Sequence, residues 1–120
     1  MAVEVSVTMN VVSDTLSFSE TLFGSVAQSN PDGDGPGSVT VPITETDISF
    51  PAWTPGQMVL YNTDPTNEVE YGPKSGGVMV PLGILKPGGP PATIYMKSGV
   101  TLRMKSLVAP CRVLIKAAAQ

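Results

Sequence analysis

The sequence predicts an all-β protein, an antiparallel β-sandwich of jelly-roll-like form with eight to ten short strands, and three observations carry that expectation. Twelve glycines and twelve prolines cut the 120 residues into short pieces. Between these breaks, apolar and polar side chains alternate with a period of two, and no stretch sustains a helical period for three turns. The length suits one domain, residues 1–120, with enough chain to close a single apolar core without metal or disulfide staples.

The first strand is "AVEVSVTMNVV", where Val3, Val5, Val7, Met9 and Val11 point one way and Glu4, Ser6, Thr8 and Asn10 the other. At about 3.3 Å per residue it can cross the whole domain, which makes residues 2–12 a candidate assembly strand. "TLSFSETLFGSV" continues the alternation, with Leu16, Phe18 and Leu22 on a common face. The Gly, Pro and Asp of "AQSNPDGDGPGS" bury too little apolar surface to offset their ordering entropy, so a mobile surface loop is expected over 27–38. "VTVPIT" and "DISF" give two short strands, Pro42 placing the first at an edge or a bulge. The corner "PAWTPG" tucks Trp53 against the rim of the core.

The second half is denser in strands: "MVLYN", "EVEYG", "GVMVPLGIL", "ATIYMK", "TLRMKS" and "CRVLIKA". Val80 and Ile115 are assigned to the inward face. In "IYMKSGVTLRMK" a two-residue turn would put Met96 opposite Thr101, whereas an odd-length loop pairs Met96 with Leu102 and Ile94 with Met104. A one-residue slip reverses every side chain, so the odd-length hairpin is expected. It collects Lys97, Arg103 and Lys105 on one outward face, joined by Arg112 and Lys116 if the last strand lies alongside. Between "MVLYN" and "EVEYG" lies a compact bend. Pro65 presets the backbone for the second position of a type I turn, Asp64 bonds back to the main chain, and Asn62 and Asn67 tolerate left-handed conformations.

Several chemistries lack their residues. There is no histidine, and Cys111 is the sole cysteine, which removes a disulfide framework, a Cys/His zinc site and the usual base of a catalytic triad. Cys111 shares a strand face with Val113 and Ile115 and reads as a small buried hydrophobe. Asp32 and Asp34 imitate the start of a calcium loop, but the next carboxylate, Glu45, lies beyond a proline and a strand. The same glycine-rich run lacks the Gly-Lys-Ser/Thr ending of a phosphate cradle and leads into β pattern. Glu68 and Glu70 fall on one strand face about 7 Å apart, a spacing open to an acid/base pair and equally to two solvated acids. The start lacks the basic and apolar regions of a signal peptide, and no run approaches the ~20 apolar residues of a membrane span, so folding in a cytoplasm without a membrane partner is expected.

The charges are divided along the chain. All ten acidic residues lie at or before Glu70 and all seven basic residues at or after Lys74. Either acidic and basic strands interleave and neutralise each other within one sandwich, or an acidic patch on one subunit meets a basic patch on the next. Nucleic-acid binding, in which the basic set would neutralise backbone phosphates, is disfavoured, because the net charge is −3 and only Tyr95 is expected on that face as a stacking partner.

The stretch "LYNTDPTNEVEYG", followed by "GGVMVPLGILKPGG" and by "LRMKS", resembles a pattern in small β-sandwich virion proteins of tailed bacteriophages. The resemblance spans Met58 to Ser106 and contains no catalytic residue. It implies a non-enzymatic structural protein of the head, tail or neck, without a cofactor, located in the virion after synthesis in the host. Foremost is a capsid decoration or cement protein that clamps adjacent shell subunits. Its partners are then the major capsid protein, or another virion protein, and copies of itself, with a trimer favoured. A tail or neck component and a carbohydrate-binding module using Trp53 are the alternatives. The residues expected at subunit interfaces are Val3, Val5, Val7, Asn62, Asp64, Asn67, Lys97, Arg103 and Lys105.

Overall fold

The computed structural model describes residues 3–13, 15, 17–28, 33–50 and 53–120. Eleven strands are formed among them: β1 (Val3–Ser13), β2 (Phe18–Gln28), β3 (Gly33–Val41), β4 (Thr46–Asp47), β5 (Pro55–Asn62), β6 (Val69–Ser75), β7 (Val78–Met79), β8 (Gly83–Leu85), β9 (Ala92–Tyr95), β10 (Leu102–Ser106) and β11 (Cys111–Ala119). They assemble into three antiparallel sheets. One runs β4-β10-β6-β7, with β8 also on β6; a second runs β3-β11-β5-β9; and β1 and β2 pair only with each other.

The two larger sheets share one core, which makes the body a β-sandwich. Met58 and Leu60 of β5, Val113, Ile115 and Ala117 of β11 and Val41 of β3 face Val69, Leu85, Leu102 and Met104 of the other sheet. In β11 every second residue from Cys111 to Ala119 is buried, as the period-two pattern requires. Full burial of each Leu, Ile, Val or Met side chain contributes about 1.5–3 kcal/mol, so this shared layer dominates the stability of the body. Trp53 packs against the rim with Phe50, ring centroids 6.2 Å apart.

Backbone pairing changes three sequence expectations. Residues 33–38 of the expected 27–38 loop are part of β3, which runs along β11 as the sheet's edge; Asp32 and the other residues 29–32 lie outside the described ones. Composition argued for a loop because so few of these side chains can be buried, but ladder hydrogen bonds use the main chain, and an edge strand tolerates Pro36. Gly33 sits where β11 shifts register between Ala117 and Ala118, and a Cβ there would come within 2.9 Å of the Ala117 carbonyl oxygen and the Ala118 Cα.

The hairpin expected between "ATIYMK" and "TLRMKS" does not form. β9 pairs with β5 in one sheet, and β10 pairs with β6 and β4 in the other. Met96, Leu102 and Met104 are buried and Ile94 packs against them, so the inward set is right although its members meet across the core instead of along a ladder. The corner is closed by the Val100 N–H donating to the Lys97 carbonyl at 3.2 Å. Consequently Arg103 and Lys105 stand on one sheet and Arg112 and Lys116 on the other, and the expected common basic face is absent.

The third correction concerns "GVMVPLGIL", which splits around Pro81 into β7 and β8, both paired with β6. Here Met79 and Leu85 are buried, but Val80 is 49% exposed and is not part of the core.

The β1–β2 hairpin forms an additional layer. Val5 faces Val26, Val7 faces Gly24 and Met9 faces Leu22 across its ladder, all on one side. That side lies over the outer face of the β5–β9–β11 region, where Val5, Val7 and Met9 border cavities with Gln57, Val59, Thr93, Tyr95, Lys116 and Ala118.

Candidate interaction surfaces

The bend between β5 and β6 consumes its own polar groups. Asn62, 3% exposed, ends the buried row of β5; its Nδ2 donates to the carbonyls of Asn67 at 2.8 Å and Leu85 at 3.0 Å. Its Oδ1 accepts the Asp64 N–H at 2.9 Å. Asp64 Oδ2 in turn accepts the N–H groups of Thr66 at 2.9 Å and Asn67 at 2.6 Å, an arrangement that stops the chain from continuing as a strand. Those donors, Thr66 first, hold the Asp64 carboxyl below the usual carboxylate range. Thr63 fastens the bend to β11, its N–H and Oγ1 both donating to the Arg112 carbonyl. The bend therefore joins β5 to β6 rigidly, and Asn62 is part of the interior and unavailable as a contact residue.

Arg103 is likewise engaged within the chain. Its Nε donates to Asp47 Oδ1 at 2.7 Å, and its Nη1 to Glu45 Oε1 at 2.9 Å and to the Gly77 carbonyl at 3.0 Å. Glu45 Oε1 also accepts the Met79 N–H at 2.7 Å, and Lys74 reaches Asp47 at 3.3 Å. One guanidinium thus links β4, β10 and the β6–β7 turn. Glu45 is held below its ordinary pKa by the Met79 N–H and then by Arg103; Asp47 is lowered chiefly by Arg103, whose own pKa rises through Asp47 and Glu45. Lys105 stands opposite Glu70 in the ladder, and Lys86 pairs with Glu68. On this sheet the acidic and basic halves of the sequence neutralise each other strand by strand. Glu68 is engaged by Lys86, and Glu70 stands opposite Lys105 on the outer face of its sheet, so the two carboxylates have different neighbours. Lys97, at the exposed corner before β10, borders an apolar groove with Tyr71, Leu82 and Val100.

Of the strand residues expected at interfaces, Val5 and Val7 lie half-buried on the inner side of the hairpin, and Val3 contributes backbone to β1, its side chain being outside the described residues. Cys111 is buried beside Ser106 Oγ at 3.1 Å. Among the described residues no three His, Cys, Asp or Glu side chains are grouped to hold a metal ion. No helix among the described residues is long and apolar enough to cross a membrane.

The surface that residue-by-residue reasoning missed is the exposed apolar edge formed by β7, β8 and the residues between them. Val78, Val80, Leu82 and Ile84 are 57%, 49%, 69% and 45% exposed, four aliphatic side chains in seven residues. The row is held close to β6 by the Val80 N–H donating to the Pro73 carbonyl and the Leu82 N–H to that of Tyr71. This approach requires Gly72, because a Cβ there would meet the Val80 carbonyl oxygen at 1.9 Å. A signal for the row is present in the sequence: Val78 to Leu85 is apolar at both odd and even positions, the mark of a strand with two faces to cover. Leu85, opposite Val69, joins the core; Ile84, opposite Glu70, and Val78, opposite Ser75, fall on opposite faces of β6, because the pairing shifts by one residue between β7 and β8, and the whole segment lies at the edge of its sheet.

No family model matches the chain, and neither the curated proteins nor the solved structures contain a match to it.

Proposed function

We propose that this protein is a structural component of a bacteriophage particle, a decoration or cement protein that stabilises the shell by adhering to adjacent capsid subunits. The observation that carries the reading is the exposure of Val78, Val80, Leu82 and Ile84 along one sheet edge, on both of its faces. A bare aliphatic row beside unpaired main-chain groups favours self-aggregation unless a protein partner covers it, and β-augmentation at such an edge joins backbone pairing to side-chain contact. The rest of the body suits attachment. Its bend is internally bonded, its charges are paired locally, and Trp53, the side chain on which a sugar would stack, is packed against the core. Many identical copies on a symmetric shell turn individually weak contacts into firm attachment.

The test is co-sedimentation of purified protein with undecorated shells and with isolated tails, comparing wild type with Leu82→Lys and Ile84→Lys. Wild type is expected to pellet with shells and the variants to remain in the supernatant at unchanged melting temperature. Binding to tails alone moves the protein to a tail or neck position. Binding to neither particle overturns the reading.

A further inference from the structure

The two faces that meet between the hairpin and the sandwich are incompletely joined. Cavities of about 450, 260 and 590 Å³ lie between them, and the first is bordered by Val5, Val7, Met9 and Leu22 on the hairpin and by Gln57, Thr93 and Tyr95 on the sheet. Leu22, on the hairpin's apolar side, remains 55% exposed, and no hairpin side chain among the described residues is fully buried. The reason is geometric. Gln28 ends the hairpin and Gly33 begins β3, so the connection reaches about 18 Å at full extension and ties the hairpin to one edge of the sheet that it covers.

The faces are nevertheless matched in chemistry. The hairpin's inner side offers Val5, Val7, Met9, Leu22 and Val26; the outer face of the sheet offers Val59, Tyr61, Leu114 and Ala118, placed by the ladders that bury Met58, Leu60, Val113 and Ile115 on the opposite side. Residues 1–28 carry three acidic residues and no Lys or Arg, and Glu20, opposite Val11, lies on the hairpin's inner side, whereas the outer face of β11 carries Arg112 and Lys116. Each copy of the chain bears one acidic apolar arm and one basic-rimmed apolar face.

We propose that the β1–β2 hairpin is an exchange arm that seats on the outer face of the β3-β11-β5-β9 sheet of a second copy of this chain. An arm arriving from another copy is not tethered to the edge of the sheet that it covers, so it can shift into the register that closes the cavities. Exchange of an existing contact costs little beyond association itself, and a short connection that restrains the closed form favours it. The linkage is independent of the shell-binding row, which lies on the other sheet.

The test uses the full chain and exchange of labels between copies. Val7→Cys and Val59→Cys chains are mixed, treated with a short bismaleimide and weighed intact, with wild type as the control for buried Cys111. The two positions border the same cavities, so an arm seated in trans yields a cross-linked pair of unlike chains at least tenfold above either variant alone. A second measurement is sedimentation of the full chain: wild type is expected as an oligomer, and Val7→Asp, which puts a carboxylate on the arm's inner side, as a folded monomer. High salt is expected to weaken the oligomer at least tenfold. The inference is overturned if wild type sediments as a monomer, if Val7→Asp leaves the oligomer intact, or if the mixture gives no cross-linked pair of unlike chains above either variant alone. A monomer that still pellets with shells overturns this inference alone; an arm-linked oligomer that ignores shells and tails overturns the virion reading alone.

Discussion

The hairpin and the sandwich are written in the same alternating code and reach different degrees of closure. In β5, Met58, Leu60 and Asn62 are buried in strict alternation, and β11 does the same over nine residues. In β1 and β2 the equally regular Val5, Val7 and Met9 are only half-buried, and Val11 and Leu22 are exposed at 37% and 55%. Alternation tells which side chains share a face. It does not tell whether anything covers that face, because coverage depends on a second surface of matching shape.

The comparison can be broken most decisively in the core. Ile115→Asp puts an unpaired carboxylate at a fully buried position and is expected to cost about 4 kcal/mol or more, abolishing cooperative thermal unfolding near room temperature. Val7→Asp, the corresponding change on the hairpin, is expected to leave the sandwich's transition in place. Equal melting of the two variants would show that the hairpin belongs to the same cooperative unit.

Two smaller changes probe how the body holds its surfaces. Gly72→Ala forces the Val80 carbonyl away from β6 and is expected to destabilise by about 1–3 kcal/mol while loosening amide protection from Val80 to Leu82 in hydrogen exchange. Protection unchanged there would mean that the edge strand is not held by this approach. Asn62→Ala strips partners from the Leu85 and Asn67 carbonyls and the Asp64 N–H, with an expected loss of about 1–3 kcal/mol in urea titration. A loss under half a unit on that scale would mean that water replaces the amide.

The smallest effect is in acid. Glu45, Asp47 and Asp64 have folded pKa values below their ordinary ones, so their contribution is present above the unfolded carboxylate range and is lost as pH falls through the lower folded values. Melting temperature should therefore decline below about pH 4, and Glu45→Gln with Asp47→Asn should flatten that decline. An undiminished slope would place the acid sensitivity in other carboxylates. Because these groups are solvent-accessible, the ion pairs are screened and the effect is modest.

Much of this was readable in advance. The strand periods, the buried role of Cys111, the corner at Trp53 and the self-bonded bend from Asn62 to Asn67 all follow from residue type and spacing within a few positions of one another. The candidate interfaces were less legible. Arg103 was expected to face outward for a partner, but its partners are Glu45 and Asp47, more than fifty residues earlier in the chain. Val80 was assigned to the core because alternation within one segment carries no sign that the pairing shifts by one residue between β7, where Met79 stands opposite Lys74, and β8, where Leu85 stands opposite Val69.

By itself the sequence determined that this chain would be all β, and which side chains would lie together on each strand, because both depend on the two-residue repeat of extended backbone and on where Gly and Pro interrupt it. Only the tertiary structure decided that β9 and β10 lie in opposite sheets, that the acidic and basic halves meet within the body, and that the hairpin and the β7–β8 row remain only partly covered. Those outcomes rest on which surfaces, distant along the chain, come to face one another, and a local repeat carries no record of that choice.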